Sequence, residues 1–214
     1  MSDHVVLLHG IWMRPFTLAL LARRLRAHGF ATSTFGYDSV AGVSEAWMSA
    51  ARDHLATVDA SRVHLVGHSL GGLLALMLAR DHGLPGGGCI ACLGTPLCGS
   101  AVARVLSRHR MWRWMLGRVD GLLCDGAPCW PAATAVGLVA GATPFGIGAL
   151  VPSLKRPHDG TVAVAETRDA RQSGHVTVRA SHSGLLLSRT VADQVAGFLA
   201  RGAFPATDRT IAGT

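Results

Sequence analysis

The 214-residue chain is long enough for one well-buried domain, and its content of 49% hydrophobic and 15% charged residues excludes extended disorder. A net charge of +7 raises nucleic acid or an anionic membrane as partners. All but one of the 20 basic residues are arginines, however, and they are scattered without a long basic run. This pattern indicates that the positive charge reflects a composition rich in alanine, glycine and arginine. We therefore expect no nucleic-acid partner.

Predicted strands and helices alternate along the chain. Short apolar or alternating segments predict six strands, at residues 5–8, 30–37, 62–66, 89–93, 135–140 and 176–179. Apolar residues at helical spacing predict helices at residues 18–25, 47–58, 70–80 and 191–199. This alternation implies right-handed crossovers and a mostly parallel sheet covered on both faces. We therefore expect a single α/β domain over residues 1–214, with a tail that frays from residue 203.

The N-terminus and the apolar runs predict a cytoplasmic protein without a membrane span. No charged region followed by an apolar signal core is found, and no apolar run reaches about 18 residues without a charge or turn signal. Of the five cysteines, Cys89 and Cys92 lie in a predicted buried strand, which favours free thiols over a zinc or redox site. Pairing of Cys124 with Cys129 is left open.

The segment Gly67-His68-Ser69-Leu70-Gly71 matches G-x-S-x-G between a predicted strand and a predicted helix. A serine at such a junction lies in a sharp, strained turn that lifts its hydroxyl clear of the sheet. Glycines flank it because side chains there would collide where strand and helix close up. This context predicts that Ser69 is a nucleophile. The alternative is a solvated serine in an ordinary strand-to-helix turn.

A serine hydroxyl is a poor nucleophile at neutral pH, so it needs a base, and the base needs an acid that orients it. In an open parallel sheet, functional groups gather beyond the carboxyl ends of the strands. His182 follows the sixth predicted strand, and Asp159 follows the fifth beyond an intervening segment, which gives the chain order Ser69, Asp159, His182. Glu166 and Asp125 are the alternatives for the acid.

The oxyanion that forms on an attacked carbonyl needs two N–H donors already aimed at it. The N–H of Leu70 is one candidate, because it lies at a predicted helix N-terminus where the dipole favours negative charge. The loop after the first strand, residues 9–12, supplies the other donor, with Ile11 preferred and Trp12 second. We expect His9 to brace this loop rather than to act in chemistry.

Taken together, these segments resemble the α/β-hydrolase superfamily, close to the small bacterial serine esterases and lipases. The matching segments are His9-Gly10, Gly67 to Gly72, Leu93-Gly94-Thr95-Pro96, His158 to Val162, and Ser181 to Leu186. The resemblance implies a minimal α/β-hydrolase fold that starts at the third of the family's usual eight strands. It also implies ester hydrolysis by Ser69, His182 and Asp159 without a cofactor. The sequence matches no calcium or zinc site of the larger lipases.

Residues 98–133 are less regular and mix large apolar side chains with arginines. One interpretation is a small lid-like insertion beside Ser69 whose apolar face contacts an acyl chain. On that interpretation Trp112 and Trp114 bind substrate together with Trp12. The other interpretation is a helix packed on the edge of the sheet, and the sequence favours neither.

The sequence thus predicts a serine hydrolase that cleaves carboxylic esters through an acyl-enzyme, with a small-molecule acyl ester as its partner. A lipid or an acyl-thioester is an alternative substrate, and acyl transfer an alternative outcome, because the same machinery serves them. A binding protein that kept the fold and lost turnover is the alternative outside enzymes. Acyl-chain length, leaving group and oligomeric state are not fixed by the sequence.

Overall fold

The protein is built around one sheet of parallel strands. The computed structural model describes residues 3–146 and 153–206. Its strands are β1 His4–Leu8, β2 Ala31–Phe35, β3 Val63–His68, β4 Ile90–Leu93, β5 Val136–Gly141 and β6 Gly174–Val178. They lie in the order β2-β1-β3-β4-β5-β6, and each neighbouring pair is parallel. β2 lies on one side of β1 and β3 on the other, so the strand order reverses at β1. In such sheets ligands bind beyond the carboxyl ends of the strands, next to the position of this reversal.

Helices cover both faces of the sheet. Those in the described residues are α1 Ala19–Ala27, α2 Glu45–Ala56, α3 Leu70–His82, α4 Ala101–Arg108, α5 Arg110–Arg113, α6 Asp120–Asp125, α7 Gly184–Leu187 and α8 Arg189–Arg201. One apolar core lies between the sheet and α1 with α8, and a second lies between the sheet and α2 with α3. None of these helices is long and apolar enough to cross a bilayer.

Local sequence signals account for several helix ends. The Ser44 hydroxyl accepts a hydrogen bond from the N–H of Trp47 at 3.1 Å and thereby caps α2. Gly202, with φ of 72°, ends α8 in the left-handed conformation that favours glycine. The predicted architecture, a single sheet of six parallel strands flanked by helices, is confirmed. Residues 203–206 of the predicted tail are neither helix nor strand, and residues 207–214 lie outside the described residues.

Residues 98–133 contain three short helices, α4, α5 and α6, that the sequence analysis did not predict. Ala103, Leu116 and Leu123 from this segment pack on Leu70 and Leu74 at the start of α3. The segment is thus a helical cover over the N-terminal end of α3. All five cysteines are free thiols, including the pair for which the sequence left a disulfide open.

Candidate active site

Ser69 lies in a strained turn between β3 and α3. Its φ of 54° and ψ of −119° are outside the conformations that a residue with a side chain ordinarily adopts. A Cβ on Gly67 would clash with the backbone of Gly71, and a Cβ on Gly71 would clash with the carbonyl of Leu8. The two glycines therefore allow the strand and the helix to close around the serine, as the motif predicts.

Asp159 and His182 form a hydrogen-bonded pair that is partly buried. The Oδ2 atom of Asp159 lies 2.7 Å from Nδ1 of His182, and the aspartate is 1% exposed. Its Oδ1 atom accepts hydrogen bonds from the N–H groups of Thr161 at 2.9 Å and Val162 at 2.7 Å. The N–H of His182 donates to the backbone carbonyl of Asp159 at 2.9 Å. Three hydrogen bonds thus hold the carboxylate, and a fourth, between the backbones, holds His182 beside it.

The alternative acids lie elsewhere. Glu166 accepts hydrogen bonds from the N–H groups of Ala101 at 2.6 Å and Ala163 at 2.9 Å, so it holds the first turn of α4 against the segment after Asp159. Asp125 is an exposed residue at the end of α6. Neither carboxylate contacts His182. Among the described residues, no three His, Cys, Asp or Glu side chains group as a metal site requires.

His68 connects the serine turn to His182, a role that the sequence analysis did not predict. Its Nε2 lies 2.9 Å from the backbone carbonyl of His182, and the two rings are 4.7 Å apart. Burial lowers the pKa of His68 to about 3, so the ring is neutral and donates its Nε2–H to that carbonyl. The side chains of Ser69 and His182 form no hydrogen bond with each other. Such contacts are often long in free enzymes and tighten when a substrate binds.

The loop after β1 is held by residues that follow β2. Trp12 has a φ of 60°, and its N–H donates to the Ser39 hydroxyl at 3.0 Å. The Tyr37 hydroxyl donates to the carbonyl of His9, and the two rings stack 4.2 Å apart. The N–H of Trp12 is therefore engaged. Of the two candidates in this loop, Ile11 keeps its N–H without a protein partner among the described residues, as does Leu70 at the start of α3.

An apolar cavity of about 200 Å³ lies next to Ser69. Its wall consists of Ile11, Trp12, Ser69, Pro96, Ser100, Val102, Ala103, Leu106, Met115, Leu116, Leu123, Thr161 and Val162. Trp12 is part of this wall and is 56% exposed, whereas Trp112 and Trp114 are not part of the wall and are 47% and 64% exposed. The next two residues along the chain, Met115 and Leu116, line the cavity instead, because Trp112 on α5 and Trp114 directly after it are turned toward solvent.

The comparisons with known proteins agree with this architecture. A model of the alpha/beta hydrolase family matches residues 5–196. The mature form of the lipase BlEst2 from Bacillus licheniformis is 17% identical with a TM-score of 0.71, and 86% of each chain is covered. The metagenomic carboxyl esterase MGS0156 is 14% identical with a TM-score of 0.66, over 85% of this chain and 64% of that one.

A pyrethroid hydrolase from Sphingobium faniae JZ-2 is 16% identical with a TM-score of 0.63, over 94% of this chain and 98% of that one. The sequence has no significant match among curated proteins. At these identities the likeness to solved structures shows the fold alone.

Proposed function

The chain belongs to the alpha/beta hydrolase family, whose model matches residues 5–196, and we propose that it is a serine hydrolase that cleaves carboxylic esters through an acyl-enzyme intermediate. The observation that carries this proposal is the 2.7 Å contact between the buried Asp159 carboxylate and His182, beside a strained serine that faces an apolar cavity. The structural neighbours include proteins described as a lipase and a carboxyl esterase, which supports the same class of reaction.

The proposed roles follow from the position of each polar group. Asp159 accepts the Nδ1–H of His182, which leaves Nε2 of that ring free to accept a proton. Nε2 takes the proton of the Ser69 hydroxyl as its oxygen attacks the acyl carbonyl, and then delivers it to the leaving alcohol. In the second half of the reaction, water loses its proton to the same nitrogen and its oxygen attacks the acyl carbon. The bond from that carbon to the Ser69 oxygen then breaks, the carboxylic acid leaves, and Nε2 returns the proton to the Ser69 oxygen.

The negative charge on the attacked carbonyl oxygen needs donors that are in place beforehand. We assign this role to the N–H groups of Leu70 and Ile11, which have no protein acceptor among the described residues. Leu70 is the first residue of α3, so the helix dipole also favours negative charge there. The engaged N–H of Trp12 supports Ile11 as the second donor.

The cavity wall favours an apolar acyl group. Its side chains are mainly aliphatic, and no charged residue is part of it. An acyl chain in this space gains roughly 0.8 kcal/mol for each methylene group that it buries. Ester and thioester substrates share such an acyl group and differ in the leaving group, so a direct comparison of the two distinguishes the main proposal from a thioesterase.

The test is a set of p-nitrophenyl esters and acyl-thioesters of graded chain length, assayed with the wild type and Ser69→Ala. We expect ester hydrolysis by the wild type and a loss of about 10⁶-fold in kcat for the variant, the size seen when a triad nucleophile is removed. A higher kcat/KM for thioesters at every chain length would move the assignment to a thioesterase. Hydrolysis by Ser69→Ala at the wild-type rate would overturn it.

A further inference from the structure

Residues 108–118 carry large apolar side chains and cations on the outside of the molecule. Each residue from 108 to 114 is exposed, as is Arg118. Met111 is 72% exposed, and both tryptophans of this segment are also largely open to solvent. We call the set formed by Arg108, Arg110, Met111, Trp112, Trp114 and Arg118 the Trp-Arg surface.

The exposed tryptophans are not part of an apolar core. Leu116 and, just beyond the segment, Val119 are buried in the cluster at the start of α3 and anchor the segment there. Large apolar side chains that cluster on a surface mark sites of interaction, whereas scattered ones do not. Trp112 and Trp114 thus lie on a surface whose fold is already secured by other side chains.

The surface carries a concentrated positive charge. Residues 108–118 contain four arginines and no acidic residue. Arg113 pairs with Asp120 at 2.9 Å, but no carboxylate in the described residues forms an ion pair with Arg108, Arg110 or Arg118. Three arginines without an ion-pair partner among the described residues therefore lie within six positions of Trp112 along the chain, and all are exposed.

The surface is continuous with the opening of the cavity. Trp114 contacts Trp12 edge to face, with the two rings 5.8 Å apart. Trp12 lines the cavity, and its Nε1–H donates to the carbonyl of Met115, another residue of the cavity wall, at 2.7 Å. Whatever covers the Trp-Arg surface therefore also lies against the entrance to the apolar cavity.

We propose that the Trp-Arg surface docks the protein on an anionic lipid bilayer. Tryptophan rings favour the level of the lipid headgroups, where one edge is apolar and the other is hydrated. Arginines beside them are attracted to anionic headgroups, and the guanidinium group forms paired hydrogen bonds with phosphate. A bilayer has anionic headgroups at its surface and acyl chains below them. It therefore fits a surface that combines exposed tryptophans and unpaired arginines beside an apolar cavity. Docking does not depend on the proposed reaction.

The test measures sedimentation with vesicles of phosphatidylcholine alone and of phosphatidylcholine mixed with phosphatidylglycerol. The substitutions Arg108→Gln, Arg110→Gln and Arg118→Gln are combined in one variant. The control variant combines Arg23→Gln, Arg189→Gln and Arg201→Gln, which remove the same charge from exposed positions on α1 and α8. An arginine near an anionic surface contributes about fivefold to partitioning, so the first variant should bind mixed vesicles on the order of 100-fold more weakly. The control and Ser69→Ala should bind like the wild type.

Tryptophan fluorescence then tests the apolar contact. The wild type should show a blue shift on mixed vesicles, because its exposed indoles leave water. The variant with Trp112→Phe and Trp114→Phe should lose most of the shift, and Trp130→Phe, which removes a buried indole, should keep it. Thermal unfolding confirms that each variant is folded.

Three results would overturn docking on an anionic bilayer. One is equal binding to both types of vesicle, and another is an equal loss in the two arginine variants. The third is tighter binding to single-stranded oligonucleotides than to mixed vesicles, since exposed aromatic rings among arginines also stack on bases.

Discussion

His68 is the residue that links the two halves of the candidate site. Its ring hydrogen bond to the backbone carbonyl of His182 spans 114 positions of the chain. A contact between residues so distant in sequence leaves no local pattern, whereas Ser69 is marked by its glycines. His68 is the last residue of β3 and is buried, but the sequence analysis gave it no role.

We predict that His68 acts as a positioning residue for His182. His68→Leu removes the donor and leaves the carbonyl of His182 unpaired, which costs about 1–3 kcal/mol and corresponds to roughly 10- to 100-fold in kcat. KM should change little, because His68 is not part of the cavity wall. His68→Gln, which retains an N–H donor, should recover much of the rate. Equal losses in both variants, matched by equal losses in Tm, would instead indicate a purely structural role.

Asp159 and Glu166, the two carboxylates near the site, should differ in their effect on turnover. Asp159→Asn should lower kcat by about 10⁴-fold, because an amide no longer holds the ring of His182 in the tautomer that accepts the serine proton. Glu166→Gln should leave kcat within a few-fold of the wild type, since Glu166 contacts backbone N–H groups at the start of α4. Steady-state assays on one ester measure kcat for both variants and for the wild type. The reverse ranking would move the acid to Glu166.

At the scale of elements, the strands and long helices were predictable from sequence because each carries a repeating apolar pattern. The three short helices between residues 101 and 125 were not. The four-residue helix α5 is too short for a period to be recognised, and the buried residues that follow it determine its position. The lid interpretation therefore puts Trp112 and Trp114 at the cavity, where the structure has Met115 and Leu116.

The loop after β1 illustrates the same limit. Its place beyond the strand end is predictable, but its shape depends on Ser39 and Tyr37, which reach it from the segment after β2. The sequence already prefers the N–H of Ile11 over that of Trp12, and the contact between Trp12 and Ser39 supplies a physical reason that the sequence does not show.

The position of α4 beside the cavity makes a prediction about chain length. Ala103 lines the cavity, and Ala103→Leu should fill part of it. Because each buried methylene group is worth roughly 0.8 kcal/mol, kcat/KM should fall at least tenfold more for an octanoyl than for an acetyl ester. Val105→Leu, on the same helix but outside the cavity wall, is the control and should leave this ratio unchanged. If Ala103→Leu lowers kcat/KM equally for both esters, the cavity does not bind the acyl chain.

At the scale of the whole molecule, buried neutral histidines make the stability dependent on pH. Burial lowers the pKa of His68 to about 3 and that of His175 to about 4, whereas an unfolded histidine titrates near 6.5. As the pH falls below about 6.5, the unfolded chain binds protons that the folded chain does not, so the free energy of unfolding decreases. His68 alone contributes about 1.4 kcal/mol per pH unit until its folded pKa is approached.

Urea unfolding between about pH 7.5 and pH 5 measures this effect. The free energy of unfolding should be constant at the highest pH of this range and should decrease toward the lowest pH. The slope should be shallower for His68→Gln than for the wild type. An unchanged free energy of unfolding down to the lowest pH would show that these rings become protonated in the folded protein.

The most direct test of the account is covalent labelling with a fluorophosphonate, which reacts with an activated serine and mimics the first step of the proposed reaction. Intact-mass measurement and peptide mapping should find one adduct per wild-type chain, on Ser69, and none on Ser69→Ala. Asp159→Asn should be labelled much more slowly than Glu166→Gln. An adduct on another serine, or equal labelling of Ser69→Ala, would contradict the assignment of Ser69 as the nucleophile.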